Sequence, residues 1–246
     1  GPGVKLKRLD SYSQEIAMAM NAAGEPLILP NKKNGTLDGT VRIDIMTGEH
    51  PLVDFNQLKE NAKNLDMELP IILGVEDIDI PVVVDLAKMP HILIAGATGS
   101  GKSIGLHSIA QSIIGLGENN AMLAIIDPKL VEFGVYEDNP RLRRHLKYTI
   151  AYDAESAVMI LDNLLDLMGS RLQVLASKRC RDIKEYNDAG HKRMKYIVLL
   201  IDELAQLMAD KKSGFDSKLR QLAAVSRATG IHAIAATQSP RRDVIT

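Results

Sequence analysis

Eight consecutive residues of this 246-residue chain carry its densest chemistry: Gly96-Ala97-Thr98-Gly99-Ser100-Gly101-Lys102-Ser103. Their spacing is G-x-x-x-x-G-K-[ST], a phosphate loop. Glycines let backbone N–H groups close around a polyphosphate without interference from Cβ atoms, and a helix starting near Lys102 adds the positive end of its dipole. Lys102 then neutralises the β and γ phosphates, the Ser103 hydroxyl ligates Mg²⁺, and Ile104 follows as the last residue of the cradle. The competing explanation is a glycine turn with a chance lysine. The flanks argue against it: Ile92–Ala95 reads as a buried strand, and Leu106, Ile109, Ala110 and Ile113 recur at helical spacing behind the loop.

Asp202 and Glu203 close the apolar run Tyr196–Ile201. Carboxylates at the carboxyl end of a parallel strand face the same crevice as a phosphate loop. Asp202 is placed to hold Mg²⁺, and Glu203 to polarise an attacking water as general base. The alternative is a pair of acids complementing a helix dipole. Gln238 ends the run Ile231–Thr237, where an amide senses a γ-phosphate, orients water, or simply bonds a turn. Arg227 sits before Thr229-Gly230. It is either a cation satisfying a helix C-terminus or an arginine finger reaching a neighbouring subunit, and spacing does not choose between them.

These residues need a scaffold of alternating elements. From Pro90 onward, strands (Ile92–Ala95, Met122–Ile126, Tyr196–Ile201, Ile231–Thr237) alternate with helices (from Lys102, Ala154–Leu175, Phe215–Ala228), which predicts an α/β fold with a mostly parallel, doubly covered sheet. Within Ala154–Leu175 the residues Ala157, Leu161, Leu164, Leu165, Met168 and Leu172 form the expected apolar stripe, and Gly230 is the expected stop after the last helix. Ahead of this core, Val4–Pro70 reads as a small α+β adaptor. It has a helix at Ser13–Met20 capped by Ser11 or Ser13, and strands at Leu27–Leu29 and Val41–Ile45 around the turn Asn34-Gly35 and the loop Leu37–Thr40. A polar helix follows at Asp54–Lys63. Ile71–Gly74 and Val82–Val84 predict a hairpin flanking the acidic loop Glu76-Asp77-Ile78-Asp79. The boundary is therefore set between residues 1–70 and 71–246.

Composition bounds the partners. Net charge is −1, so no overall positive field announces a nucleic acid, and any such contact has to come from local patches. Basic clusters occur at Arg141, Arg143, Arg144, His145 and Lys147, at Lys178, Arg179, Arg181 and Lys184, at His191, Lys192, Arg193 and Lys195, and at Arg241-Arg242. No aromatic residues interleave them, which argues against base stacking. A single cysteine, Cys180, excludes an intrachain disulfide and is read as an ordinary thiol of a reducing, cytoplasmic compartment. No apolar run approaches the ~20 residues that span a bilayer, and Gly1-Pro2-Gly3-Val4-Lys5 lacks a signal-peptide core. The absence of an initiator methionine suggests a piece of a longer protein, with room there for a membrane anchor.

At this point the residues resemble the motor domain of the FtsK/SpoIIIE double-stranded DNA translocases. The matching segments are Leu29-Pro30-Asn31-Lys32-Lys33, Asp85-Leu86-Ala87-Lys88-Met89-Pro90-His91, the phosphate loop, Ile126-Asp127-Pro128-Lys129, Val135-Tyr136, Leu200-Ile201-Asp202-Glu203, Arg227-Ala228-Thr229-Gly230-Ile231-His232, Ala236-Thr237-Gln238 and Asp243-Val244-Ile245-Thr246. The resemblance implies a RecA-like ATPase core, ATP and Mg²⁺ at subunit interfaces, and a homo-hexameric ring on the phosphate backbone of double-stranded DNA. On that analogy Arg227 matches the trans-acting arginine finger. Family members usually carry Arg-Pro after Ala-Thr-Gln, whereas this chain has Ser239-Pro240 with Arg241 and Arg242 nearby, so DNA contact from that loop is expected to be shifted or weakened. The family core continues beyond Thr246 with further strands and a second DNA-facing loop, which also marks the chain as partial. Three other readings compete: a conjugative or DNA-packaging ATPase, an FtsK-like ATPase that moves protein, and a nucleotide-bound regulatory module.

Overall fold

The computed structural model describes residues 9, 11–22, 24–33, 36–45, 53–61, 65–76 and 80–238. The chain divides into two compact units, Gly1–Val53 and Asp54–Thr246. The division falls ahead of the expected boundary at Pro70, because the segment from Asp54 onward packs on the larger unit. Leu69 is fully buried in one core with Leu86, Leu106 and Ile109, and Leu86 N donates to Leu69 O at 2.9 Å.

The smaller unit holds helix α1 (Ser13–Ala19) and an antiparallel pair, β1 (Leu27–Lys33) and β2 (Thr36–Asp44). Tyr12, rather than Ser11 or Ser13, occupies the α1 N-cap, with no side-chain capping bond. Leu37–Thr40, expected as loop, is part of β2. The β1–β2 register shifts between Pro30 and Lys32, where proline has no N–H to give the ladder. The Asn34-Gly35 turn lies outside the described residues.

The larger unit begins with α2 (Phe55–Asn61) and the hairpin β3 (Pro70–Glu76) and β4 (Ile80–Asp85). Asp54 Oδ1 accepts from Asn56 N at 2.9 Å and so opens α2. Asp77, Ile78 and Asp79 of the acidic loop lie outside the described residues. Asp85, buried, accepts from Leu69 N at 3.0 Å and from Ala87 N at 3.1 Å, which turns the chain through a short 3₁₀ helix into the core sheet.

Along the chain the core then runs β5 (Ile92–Ala95), α3 (Lys102–Gly115), β6 (Ala121–Ile126), α4 (Val135–Asp138), α5 (Pro140–Arg143), α6 (Ala154–Lys178) and α7 (Ile183–Asp188). It continues with β7 (Tyr196–Ile201), α8 (Leu204–Ala209), α9 (Phe215–Val225), a 3₁₀ turn at Ser226–Thr229 and β8 (Ile231–Thr237). The four strands pair in parallel in the order β5-β8-β7-β6. Every residue of β7 is buried, which is what a continuous apolar run in a central strand requires. Its alternate residues serve two cores. Ile197, Leu199 and Ile201 pack with α6, α8 and α9, while Tyr196, Val198 and Leu200 pack with α3, Phe133 and Ile183. The edge of β6 is covered by the following chain, with Lys147 N donating to Leu123 O and Asp127 N to Ala151 O.

Helix α6 starts as expected, with Asp153 and Ser156 bonding reciprocally in a capping box. Its buried stripe departs from expectation at one place. Leu172 is exposed and Arg171 is buried instead, donating from Nη1 to Thr229 O at 2.6 Å and from Nη2 to Lys195 O at 2.7 Å. The final helix ends at Val225, and Ser226–Thr229 tightens to 3₁₀ before Gly230 turns the chain at φ +70°.

Candidate active site

All four parallel strands end at a residue of the candidate site region. Gly96 follows β5, Asp127 follows β6, Asp202 and Glu203 follow β7, and Gln238 follows β8. The phosphate loop is tied to β8 by Gly96 N donating to Thr237 O at 3.2 Å. A Cβ on Gly96 would collide with Ser100 Oγ, and Gly101, the α3 N-cap, has φ +85°, where a side chain is strained. Glycine is therefore set at Gly101 by backbone conformation and at Gly96 by the close approach of the Ser100 side chain.

Ala97, Thr98, Gly99, Gly101, Lys102, Ser103 and Ile104 line a cavity of about 350 Å³ with Asp202 and Gln238, and Lys129 and Glu132 complete its wall. The Lys102 ammonium is buried, 3.7 Å from Asp202 Oδ1 and 3.5 Å from Glu203 Oε2. Asp202 Oδ1 is a buried oxygen with no hydrogen-bond partner among the described residues. Burial raises the Asp202 carboxyl above the usual range; Lys102 and Lys129 oppose the shift, and Asp127 and Glu132 add to it. Glu203 goes the other way. Burial pushes it up, but the Lys129 hydrogen bond, the Gln238 N–H and the Lys102 charge outweigh that and hold it below the ordinary value.

Glu203 is held at both oxygens. Oε1 accepts from Thr237 Oγ1 and from Gln238 N, each at 3.1 Å, while Oε2 accepts from Lys129 Nζ at 2.9 Å. Its backbone is left-handed, φ +65°, where it caps α8. The Gln238 side chain reaches the phosphate loop, with Thr98 Oγ1 donating to Gln238 Oε1 at 3.3 Å. Ser103 Oγ donates to Glu132 Oε1 at 2.9 Å. Glu132 Oε2 lies 3.7 Å from His107 Nε2, whose other ring nitrogen meets Tyr136 OH at 3.0 Å.

The structure thus brings Lys102, Ser103, Asp202, Glu203 and Gln238 into one wall, and leaves Arg227 away from it. Arg227 precedes β8 whereas Gln238 follows it, so the seven-residue strand separates them by roughly 20 Å at ~3.3 Å per residue. Arg227 is exposed and lines a second cavity with Asp66, Glu68, Lys88, Arg181 and Lys184. Of the basic clusters, several members are already engaged: Arg181 with Glu185 at 3.1 Å, Lys184 with Glu68 at 2.9 Å, and His145 in the interior. Ser239, Pro240, Arg241, Arg242 and the Asp243–Thr246 segment lie outside the described residues.

The sequence reading missed Lys129 and Glu132 as site residues. Their signal was the Asp-Pro-Lys turn at the end of an apolar strand: Asp127, fully buried, accepts at Oδ2 from Glu132 N (3.1 Å) and Phe133 N (3.0 Å) and at Oδ1 from Lys129 N (3.3 Å). One carboxylate folds the whole loop against the cavity.

The model of the FtsK/SpoIIIE family matches residues 54–242. The chain belongs to the FtsK/SpoIIIE family. It is 34% identical over 254 residues to the DNA translocase FtsK of Treponema pallidum, covering 100% of this chain and 31% of that relative. It is 33% identical over 253 residues to the DNA translocase SftA of Bacillus subtilis, covering 100% of this chain and 26% of that relative. The chain therefore spans less than a third of the relatives it matches. Among solved structures, the pCW3 conjugation coupling protein TcpA, a monomer with ATPγS, superposes with a TM-score of 0.69 at 27% identity, covering 99% of this chain and 67% of that one. The EccC ATPases 2 and 3 of Thermomonospora curvata superpose at 0.62 and 20% identity over 74% of this chain and 36% of that one, which speaks for the fold alone. The RecA-like P-loop α/β core expected from the sequence is the fold observed.

Proposed function

We propose that this chain is the ATP-hydrolysing motor segment of a double-stranded DNA translocase. The observation that carries the reading is the meeting of Lys102, Asp202 and Glu203 at the carboxyl end of a parallel sheet, beside a glycine loop. Lys102 binds the β and γ phosphates. Glu203, ionised and fixed at Oε1 by Thr237 and Gln238, takes the proton of the attacking water, and Gln238 reports on the γ-phosphate through Thr98. Mg²⁺ fits the residues present: the buried Asp202 Oδ1, which makes no hydrogen bond among the described residues, and the Ser103 hydroxyl are hard oxygen donors of the kind it selects. When bound it would offset charge on the phosphates.

Arg227 acts in trans on this reading, since its own phosphate loop is a strand length away, and a ring of identical subunits supplies the neighbour. The relatives named DNA translocases support DNA as cargo, held through its phosphate backbone. The reading keeps a cytoplasmic location for this segment; among the described residues no helix is long and apolar enough to cross a membrane. The likeness to a conjugation coupling protein favours a second reading, in which the same motor serves DNA transfer between cells.

Steady-state ATP hydrolysis, measured with and without long duplex DNA at low and high salt, tests the proposal. Stimulation by DNA that fades with salt is expected, because phosphate contacts are the salt-sensitive part of such binding. Hydrolysis indifferent to DNA in an assembled sample would point to a protein cargo and overturn the DNA reading.

A further inference from the structure

Four non-glycine residues among those described have positive φ: Asn21, Leu130, Arg179 and Glu203. Asn21 and Arg179 follow helices α1 and α6, where a left-handed residue is an ordinary ending. The other two flank the phosphate cavity. Leu130, at φ +60°, lies inside the loop that Asp127 folds, a conformation an aliphatic residue adopts only when its surroundings force it. What that strain achieves is the placement of the residue before it. Lys129 Nζ donates to Glu203 Oε2 at 2.9 Å and lines the same cavity as Lys102, Ser103 and Asp202.

We propose that Lys129 is a further residue that favours ATP over ADP in this site, a cation that bridges Glu203 Oε2 and the γ-phosphate. The inference rests on reading the cavity as an ATP site. An ammonium has three donors, and Glu203 takes one. Lys129 stands beside the residue assigned to the attacking water, where the terminal phosphate has to lie, and its side chain is about a third exposed toward the cavity. Lys102 is different in kind: buried at the start of α3, it reaches the β-phosphate that ATP and ADP share as well as the γ-phosphate, so it holds either nucleotide. Because Oε1 of Glu203 is fixed separately by Thr237 and Gln238, the carboxylate keeps its aim while Oε2 stays beside the Lys129 and Lys102 ammonium groups. Lys129 touches the nucleotide and positions the base with the same group.

Equilibrium binding of ATPγS and of ADP to the full chain tests this, with Lys129→Ala, Lys129→Met and Lys129→Arg compared with the parent. The Ala and Met variants are expected to lose about tenfold in ATPγS affinity, as for one charge-assisted hydrogen bond, with ADP affinity within about twofold of the parent. Lys129→Arg is expected to recover most of the ATPγS affinity. Equal weakening of both nucleotides, or none, in variants with the parent's circular dichroism overturns the proposal. A parent that binds neither nucleotide overturns the ATP site itself, and so separates the two failures.

Discussion

Arg171 holds Thr229 from inside the fold: its guanidinium, 8% exposed, donates to the Thr229 carbonyl at 2.6 Å and to the Lys195 carbonyl at 2.7 Å. Among the described residues no carboxylate pairs with it, and burial pushes its pKa down to about 10. A charge is thus committed to the interior to join helix α6, the entry of β7 and the 3₁₀ turn that carries Arg227.

Replacing that fork strands the buried Thr229 carbonyl and the part-buried Lys195 carbonyl. Arg171→Ala is expected to cost about 3 kcal/mol of stability, the scale of a lost buried, charge-assisted pair of bonds, and Arg171→Lys to recover only part of it. Urea unfolding of the three proteins checks this. A loss within about 0.5 kcal/mol would mean that the turn is held by its neighbours instead.

Lys102→Ala is expected to abolish nucleotide binding, because the ammonium is the one cation buried beside both Asp202 and Glu203 among the described residues. Isothermal titration with ATPγS reads it directly, and parental affinity in the variant would remove Lys102 from the site. Glu203→Gln is expected to keep binding and to trap ATP, so that bound nucleotide recovered after filtration is ATP rather than ADP.

Arg227→Ala is expected to bind ATP normally and to lose hydrolysis. Because the strand β8 lies between Arg227 and its own loop, mixing Arg227→Ala with Lys102→Ala chains should restore activity at the interfaces that join an intact loop to an intact arginine. A mixture as inactive as its components would return Arg227 to the role of a helix-end cation.

Acid should loosen the fold through His232. Its Nδ1 donates to Met89 O at 3.2 Å, its Nε2 is buried with no hydrogen-bond partner among the described residues, and burial lowers its pKa to about 4. Above pH 6.5 the imidazole is neutral in both states and no penalty arises. As pH falls from 6.5 toward 4 the unfolded chain takes up a proton that the fold refuses, so stability declines, by about 2.5 kcal/mol at pH 4.5. His91 and His145 are shifted downward as well and add slope in the same direction. The urea midpoint followed from pH 7 to pH 4.5 should therefore fall less for His232→Gln than for the parent. Identical slopes would assign the effect to the other two histidines.

Much of the parallel core was legible because its strands are unambiguous. Ile92–Ala95 and Tyr196–Ile201 are continuous apolar runs, Ile231–Thr237 is apolar but for His232 and Thr237, each is followed by glycine or a polar residue, and the structure keeps those bounds. The phosphate loop and the acids after β7 were legible for the same reason, since a parallel sheet sends all strand ends to one side. Three features were not. Leu37–Thr40 looks like loop by composition, and only pairing with β1 makes it strand. Arg171 falls on the buried face of α6 because two distant carbonyls await it there, which helical periodicity does not encode. Lys129 and Glu132 reach the cavity through hydrogen bonds to the Asp127 side chain, a local arrangement no spacing rule announces.

The separation of Lys102 from Arg227 by the length of β8 has a consequence for how fuel is used. If Arg227 completes a neighbouring subunit's site, as proposed, a solitary copy owns both halves of the catalytic apparatus and cannot bring them together, so dilution alone would silence it. Turnover per chain would then climb with concentration until assembly is complete, and idle subunits would leave the surrounding ATP untouched.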